Sequence, residues 1–169
     1  VVANPKVTGD RAEFFAMAST AGSAVIAALI GDTVQAKQML ESLPERAAIS
    51  RGEVAGLLAK ARGDTANWIA SLEAAAKTDA GIAHLGPPSS YPASELYGDA
   101  LIAVGRTKDA IAAYRQQLEL MPNRSRTLLL LARAQRKAGD IAGAAKAEAQ
   151  LRRNWHAADA GVTTRLAGR

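Results

Sequence analysis

At 169 residues the chain can bury one core of moderate size or one short array of repeats, and we expect a single domain. Hydrophobic residues make up 49% and aromatics only 4%, so the apolar content is chiefly alanine and leucine, which favours close-packed helices and argues against a β-sandwich. Cysteine is absent, which excludes a disulfide framework, a thiolate nucleophile and a cysteine-bound metal, while the net charge of +5 permits acidic partners without demanding one.

The first predicted helix starts near Asp10, where Asp10 and Glu13 have capping-box spacing, and runs to Gly31. Residues 16–31 carry no charge, yet they fall short of the roughly 20 apolar residues of a bilayer span and include Ser19, Thr20 and Ser23. We therefore expect a buried helix and not a membrane-spanning one. No basic segment precedes this stretch and no cleavage pattern follows it, so no targeting segment is expected in the chain, although its opening at Val1 suggests an upstream part. A second helix should span Thr33 to Leu43, with Pro44 ending it.

Ser50 and Glu53 repeat the capping spacing ahead of two helices expected over 51–62 and 65–77, joined at Gly63. A loop over 78–91 follows, marked by Gly81, Gly86, Pro87 and Pro88. The next pair, over 92–104 and 108–120, has helix-period apolar positions at Leu96, Tyr97, Ala100, Leu101 and Val104 and then at Ile111, Tyr114 and Leu118, with Pro122 as the stop. A last pair is expected over 125–138 and 141–155. The tail over 157–169 is too short and too polar for another full packed helix.

Gly31, Gly63, Gly105 and Gly139 stand at the turn of each pair, separated by 32, 42 and 34 residues. Such a period marks a helical array whose units are too small to fold alone. The third unit carries the clearest pattern: counted from Tyr91, it places Gly98, Leu101, Gly105, Ala110, Tyr114 and Pro122 so that it resembles the tetratricopeptide repeat (TPR), a helical hairpin of about 34 residues. The fourth unit matches at Ala132, Gly139 and Ala144, the second at Gly56, Gly63 and Leu72, and the first at Ala24, Gly31, Ala36 and Leu40. Ser94, Gln117, Gln135, Glu148 and Trp68 depart from the family pattern.

The resemblance implies an all-α, right-handed α-solenoid of about four TPR-like hairpins, with repeats over 10–48, 49–80, 91–124 and 125–156. The stretch from Gly86 to Asp140 also resembles the C-terminal part of longer bacterial TPR proteins, in which case the compartment would be bacterial cytoplasm or periplasm.

The family's first helices line a concave face, which implies a partner-binding surface here. The corresponding positions include Val25 in the first unit, Leu57 in the second, Glu95 and Asp99 in the third, and Arg126, Leu129, Arg133, Arg136 and Lys137 in the fourth. The arginines share one helical face and could hold an acidic peptide by charge-assisted hydrogen bonds, or they could form a solvated face partly neutralised by Glu95 and Asp99. The carboxylate clamp of chaperone-binding TPR proteins is not reproduced, because Val25, Leu57, Asp99 and Arg133 stand where it uses asparagine. At the apolar end, Phe14, Phe15 and Met17 would fold onto the array or, if exposed, anchor an interface.

No chemistry is expected. His84 and His156 lack metal-ligand spacing, Glu95 and Asp99 read as acids on a helix face, and no phosphate loop or nucleophile elbow is present, so we expect no catalytic, cofactor or metal residues and no small-molecule substrate. Trp68 and Trp155 are expected to fill holes between helices, and Gly52 with Gly56 to mark close hairpin packing. The function expected is a non-catalytic protein-interaction scaffold that binds a peptide or helix of a protein partner within a larger assembly. The alternatives are an accessory subunit of an enzyme complex and a basic nucleic-acid-binding module using Arg124, Arg152, Arg153 and Arg165, the latter disfavoured by the absence of interleaved aromatics.

Overall fold

A computed structural model describes residues 10–81 and 91–156. Among these there are eight α-helices and no strand. The chain divides into two compact units, Val1–Asp79 and Ala80–Arg169. In the first, α1 (Asp10–Ile30) pairs with α2 (Thr33–Ser42), and α3 (Ala48–Ala61) packs on both before pairing with α4 (Thr65–Ala80). In the second, α5 (Ala93–Ala103) pairs with α6 (Thr107–Leu120), α7 (Ser125–Lys137) packs on α6, and α8 (Ile141–Asn154) closes the second hairpin.

Each hairpin turns by one device. Gly31, Gly63, Gly105 and Gly139 have φ of 87°, 73°, 81° and 82°, left-handed values that only glycine adopts without a Cβ penalty. The residue after each glycine returns its N–H to a carbonyl five residues back, as in Asp32 to Ala27 at 2.9 Å and Asp140 to Gln135 at 2.8 Å. In three of the four turns that same residue is an aspartate whose side chain caps the next helix: Asp32 accepts from Gln35 N–H at 3.0 Å, Asp64 from Asn67 at 3.1 Å and Asp140 from Gly143 at 2.8 Å. A Gly-Asp pair thus ends one helix and starts the next. At Gly105 the follower is Arg106, which provides no side-chain cap and bonds Asp109 instead.

Small residues set how closely the paired helices approach. Ala24 and Ala36 are fully buried in the first hairpin, Gly98 and Ala110 in the third, and Ala132 and Ala144 in the fourth. In the second hairpin Trp68 stands where the alanine would be, and the approach shifts to Gly52 and Gly56: a Cβ on Gly56 would lie 2.8 Å from Leu72 Cγ, and one on Gly52 3.0 Å from Ala75 Cβ. Trp68 is half-buried and takes the Lys60 ammonium over its ring at 5.1 Å, so it does not fill a closed hole as expected. Trp155 is likewise half-buried, at the C-cap of α8.

The helices depart from the sequence expectation in three places. A single 3-10 turn, Glu45–Ala47, runs straight into α3, so Ser50 lies inside the helix, Ala47 is the uncapped N-cap, and Glu53 is buried instead of closing a capping box. Helix α4 continues to Ala80, past the expected end at 77, because Ala75, Ala76 and Asp79 prolong its buried face. Helix α1 buries only one side, formed by Ala21, Ala24, Val25, Ala27 and Ala28, and leaves Phe14, Phe15, Ile26 and Ile30 more than half exposed. It is also long and apolar enough to cross a membrane, by length and composition alone. The loop residues 82–90 and the tail 157–169 lie outside the described residues, as does His84.

Candidate partner-binding surface

Charged side chains gather where α5 meets the start of α7. Helix α5 begins after Pro92 and puts Glu95 in its first turn, where the carboxylate points toward the connection between α6 and α7. Glu95 has no exposed surface, and four donors meet its two oxygens. Arg124 Nε donates at 2.8 Å and its Nη2 at 3.2 Å, Arg126 Nε donates at 3.1 Å, and the Thr127 hydroxyl completes the set. A buried carboxylate is tolerable only when its lone pairs are satisfied by charged donors in this way.

The network continues one turn along α5. Arg126 Nη2 donates to Asp99 at 3.0 Å, the Tyr114 hydroxyl donates to the other Asp99 oxygen at 2.7 Å, and the Arg126 guanidinium lies 5.2 Å from the centre of the Tyr91 ring. Burial, together with the acceptor carboxylate of Asp99, pushes the Tyr114 phenol well above its ordinary value. Tyr114 therefore acts as a fixed donor. Glu95, Asp99 and Arg126, expected from the sequence to neutralise one another, do meet, with Arg126 bridging the two carboxylates. Arg124, Thr127, Tyr91 and Tyr114 join this cluster although the sequence did not lead us to expect them there; the available signal was Arg124 standing just before the α7 start, at the end of the repeat that Glu95 opens.

Beyond this cluster α7 turns basic. Arg136 is clamped by Glu148 of α8, with two hydrogen bonds of 2.8 Å, so its charge is locally neutralised. Arg133 and Lys137 are exposed and make no hydrogen bond or ion pair with another described residue. Leu129 lies one turn before Arg133 and is partly exposed, giving a face with an apolar step between a held arginine, Arg126, and two unengaged cations. In the first unit, Val25 and Leu57 are each only 6% exposed. They stand beneath a surface instead of forming it.

Elsewhere the titratable groups serve packing. Glu53 on α3 and Asp79 on α4 are both buried, and desolvation, with the nearby Asp79 charge, pushes the Glu53 carboxyl up to about 8. Asp64 is held below its usual range by its hydrogen bonds to Asn67. Among the described residues no group of three or more histidine, aspartate or glutamate side chains could hold a metal ion.

Four glycine-turned helical hairpins with small residues at their crossings define a TPR-like helical-repeat fold, in the all-α solenoid class. Among solved structures, a crystal form of MamA AMB-1 aligns with a TM-score of 0.50 over 89% of this chain and 97% of that one, at 15% identity. A second form of the same protein gives a TM-score of 0.48, 81% and 97% coverage, and 16% identity. MamA is itself TPR-like, and at this identity the likeness shows the fold. No protein-family model and no curated protein sequence matches the chain.

Proposed function

We propose that this chain is a non-catalytic protein-interaction scaffold whose α7 face receives an acidic peptide or helix of a partner protein within a larger assembly. The observation that carries this is the pair Arg133 and Lys137, exposed and without an ionic partner among the described residues, on a helix whose neighbouring Arg126 is held rigid by Glu95 and Asp99. Leu129 supplies an apolar contact between them, and Arg136 flanks the face while remaining tied to Glu148. A partner carboxylate there gains charge-assisted hydrogen bonds without first breaking an internal pair. Val25 and Leu57 support the corresponding first helices of the other unit from below. A TPR-like fold serves protein binding, which agrees with this assignment.

The test is the anisotropy of a fluorescent peptide carrying several glutamates around one leucine, titrated with the full chain at low and physiological salt. Arg133→Glu with Lys137→Glu should weaken binding at least tenfold while leaving the melting temperature in place, because neither side chain is buried. Unchanged affinity in the double variant removes this face from the function. Equal or tighter binding of a single-stranded oligonucleotide, lost in the same variant, would replace the protein partner with nucleic acid.

A further inference from the structure

Aligned on their turn glycines, Gly105 and Gly139, the last two hairpins put different side chains at the same two places. In the third, Tyr114 of α6 reaches across to α5 and donates to Asp99 at 2.7 Å. In the fourth those places belong to Glu148 of α8 and Arg133 of α7, so the repeat brings an acid up beside a basic helix. Packing does not call for one there, since the other hairpins fill the place of Glu148 with Leu40, Leu72 and Tyr114, the last two of them buried. Glu148 does not take Arg133. It takes Arg136, one turn along α7, through Nε and Nη2 at 2.8 Å each, and the two side chains remain 26% and 51% exposed.

Arg126, Arg133, Arg136 and Lys137 all stand on α7, and internal acids answer two of them: Glu95 and Asp99 hold Arg126, and Glu148 holds Arg136. What is left is Arg133 and Lys137, four residues apart, which sets their Cβ atoms about 6 Å from each other along one face. We propose, on the footing that α7 is the docking face, that Glu148 is its specificity-determining residue. By cancelling Arg136 it makes the face answer a partner helix with two carboxylates one turn apart, and makes any further negative charge on the partner count for nothing. A partner acid aimed at Arg136 must break a two-bond pair already made, and an anion reaching past Arg133 meets the Glu148 carboxylate as a like charge. The same charge works against a nucleic-acid backbone, whose affinity grows with each phosphate that finds a cation.

The test titrates the full chain into two fluorescent helical peptides, one with a single pair of glutamates a turn apart beside a leucine, the other with an unbroken run of glutamates. The parent should bind both within about twofold of each other, because it has only the one free pair of cations to offer. Glu148→Gln keeps an acceptor for Arg136 and removes the charge, and it should bind the run about three- to fivefold tighter while the paired peptide gains less than about twofold. Glu148→Ala, which frees Arg136 outright, should show the same preference, and adding Arg136→Gln to either variant should abolish it. Glu119→Gln makes the same change of net charge on the exposed side of α6 and should leave both affinities where they were. A Glu148→Gln chain that binds the run no better than the parent does, or no better than Glu119→Gln does, overturns the role of Glu148 alone; the docking face then still stands or falls by Arg133→Glu with Lys137→Glu. Failure of parent and variants alike to bind either peptide overturns both.

Discussion

The ring of Tyr114 lies directly against Gly98, so that a Cβ built on Gly98 would stand 2.7 Å from Tyr114 Cζ. Tyr114 cannot move away, because it is 1% exposed and its hydroxyl is fixed on Asp99. The third hairpin closes only because one helix offers no side chain where the other offers its largest.

Gly98→Ala is accordingly expected to destabilise the chain even though alanine is the better helix former by about 1 kcal/mol. Overpacking against a pinned ring costs about 1–3 kcal/mol, and the added strain on the Tyr114–Asp99 hydrogen bond should bring the net loss to roughly 1–2 kcal/mol. Urea denaturation measures it. A gain in stability would show that the ring yields.

Ala110 has no exposed surface at the same crossing. Ala110→Leu should lower stability by about 1–3 kcal/mol through overpacking, read as a lower urea midpoint with an unchanged slope. Combined with Gly98→Ala the two losses should fail to add, because both disturb one contact between α5 and α6.

Glu95→Ala removes the carboxylate that the mostly buried Arg124 and the buried Thr127 hydroxyl share. The expected loss is roughly 3 kcal/mol, at the lower end for a broken buried ion pair because the Arg126 head, 43% exposed, can turn to water. Glu95→Gln should lose less, since the amide oxygen still accepts. Denaturation of both variants in parallel checks the order, and a neutral Glu95→Ala would mean the cluster contributes nothing net.

Glu53 predicts a dependence on pH with a definite sign. Its folded-state pKa is raised from 4.5 to about 8, so between these values the folded chain holds a proton that the unfolded chain has released. The stability associated with the protonated group is fully present below about pH 4.5, declines as pH rises, and is lost above about pH 8. Glu53→Gln removes this slope, so its stability relative to the parent should improve across that window by on the order of a few kcal/mol. Urea midpoints of both proteins at the two ends of the window test it, and a constant difference would show that Glu53 keeps the same protonation state in both.

The hairpins were legible in the chain because the information that makes them is local. A glycine with positive φ followed by a capping aspartate acts within six residues, and alanines twelve residues apart mark a crossing whatever the rest of the protein does. That is why Gly31, Gly63, Gly105 and Gly139 could be placed from the sequence, together with the TPR-like class, and the aspartate that follows three of them was there to be read as a cap. Tertiary structure alone decided which charges remain available. Glu95 finds Arg124, Arg126 and Thr127 about thirty residues away, Arg136 finds Glu148 across its own turn, and Arg133 and Lys137 find none among the described residues. The same holds for α1, whose uncharged run reads as a buried helix until the neighbours are in place. Burial is set by what packs alongside, and a periodic pattern names an apolar face without naming what covers it.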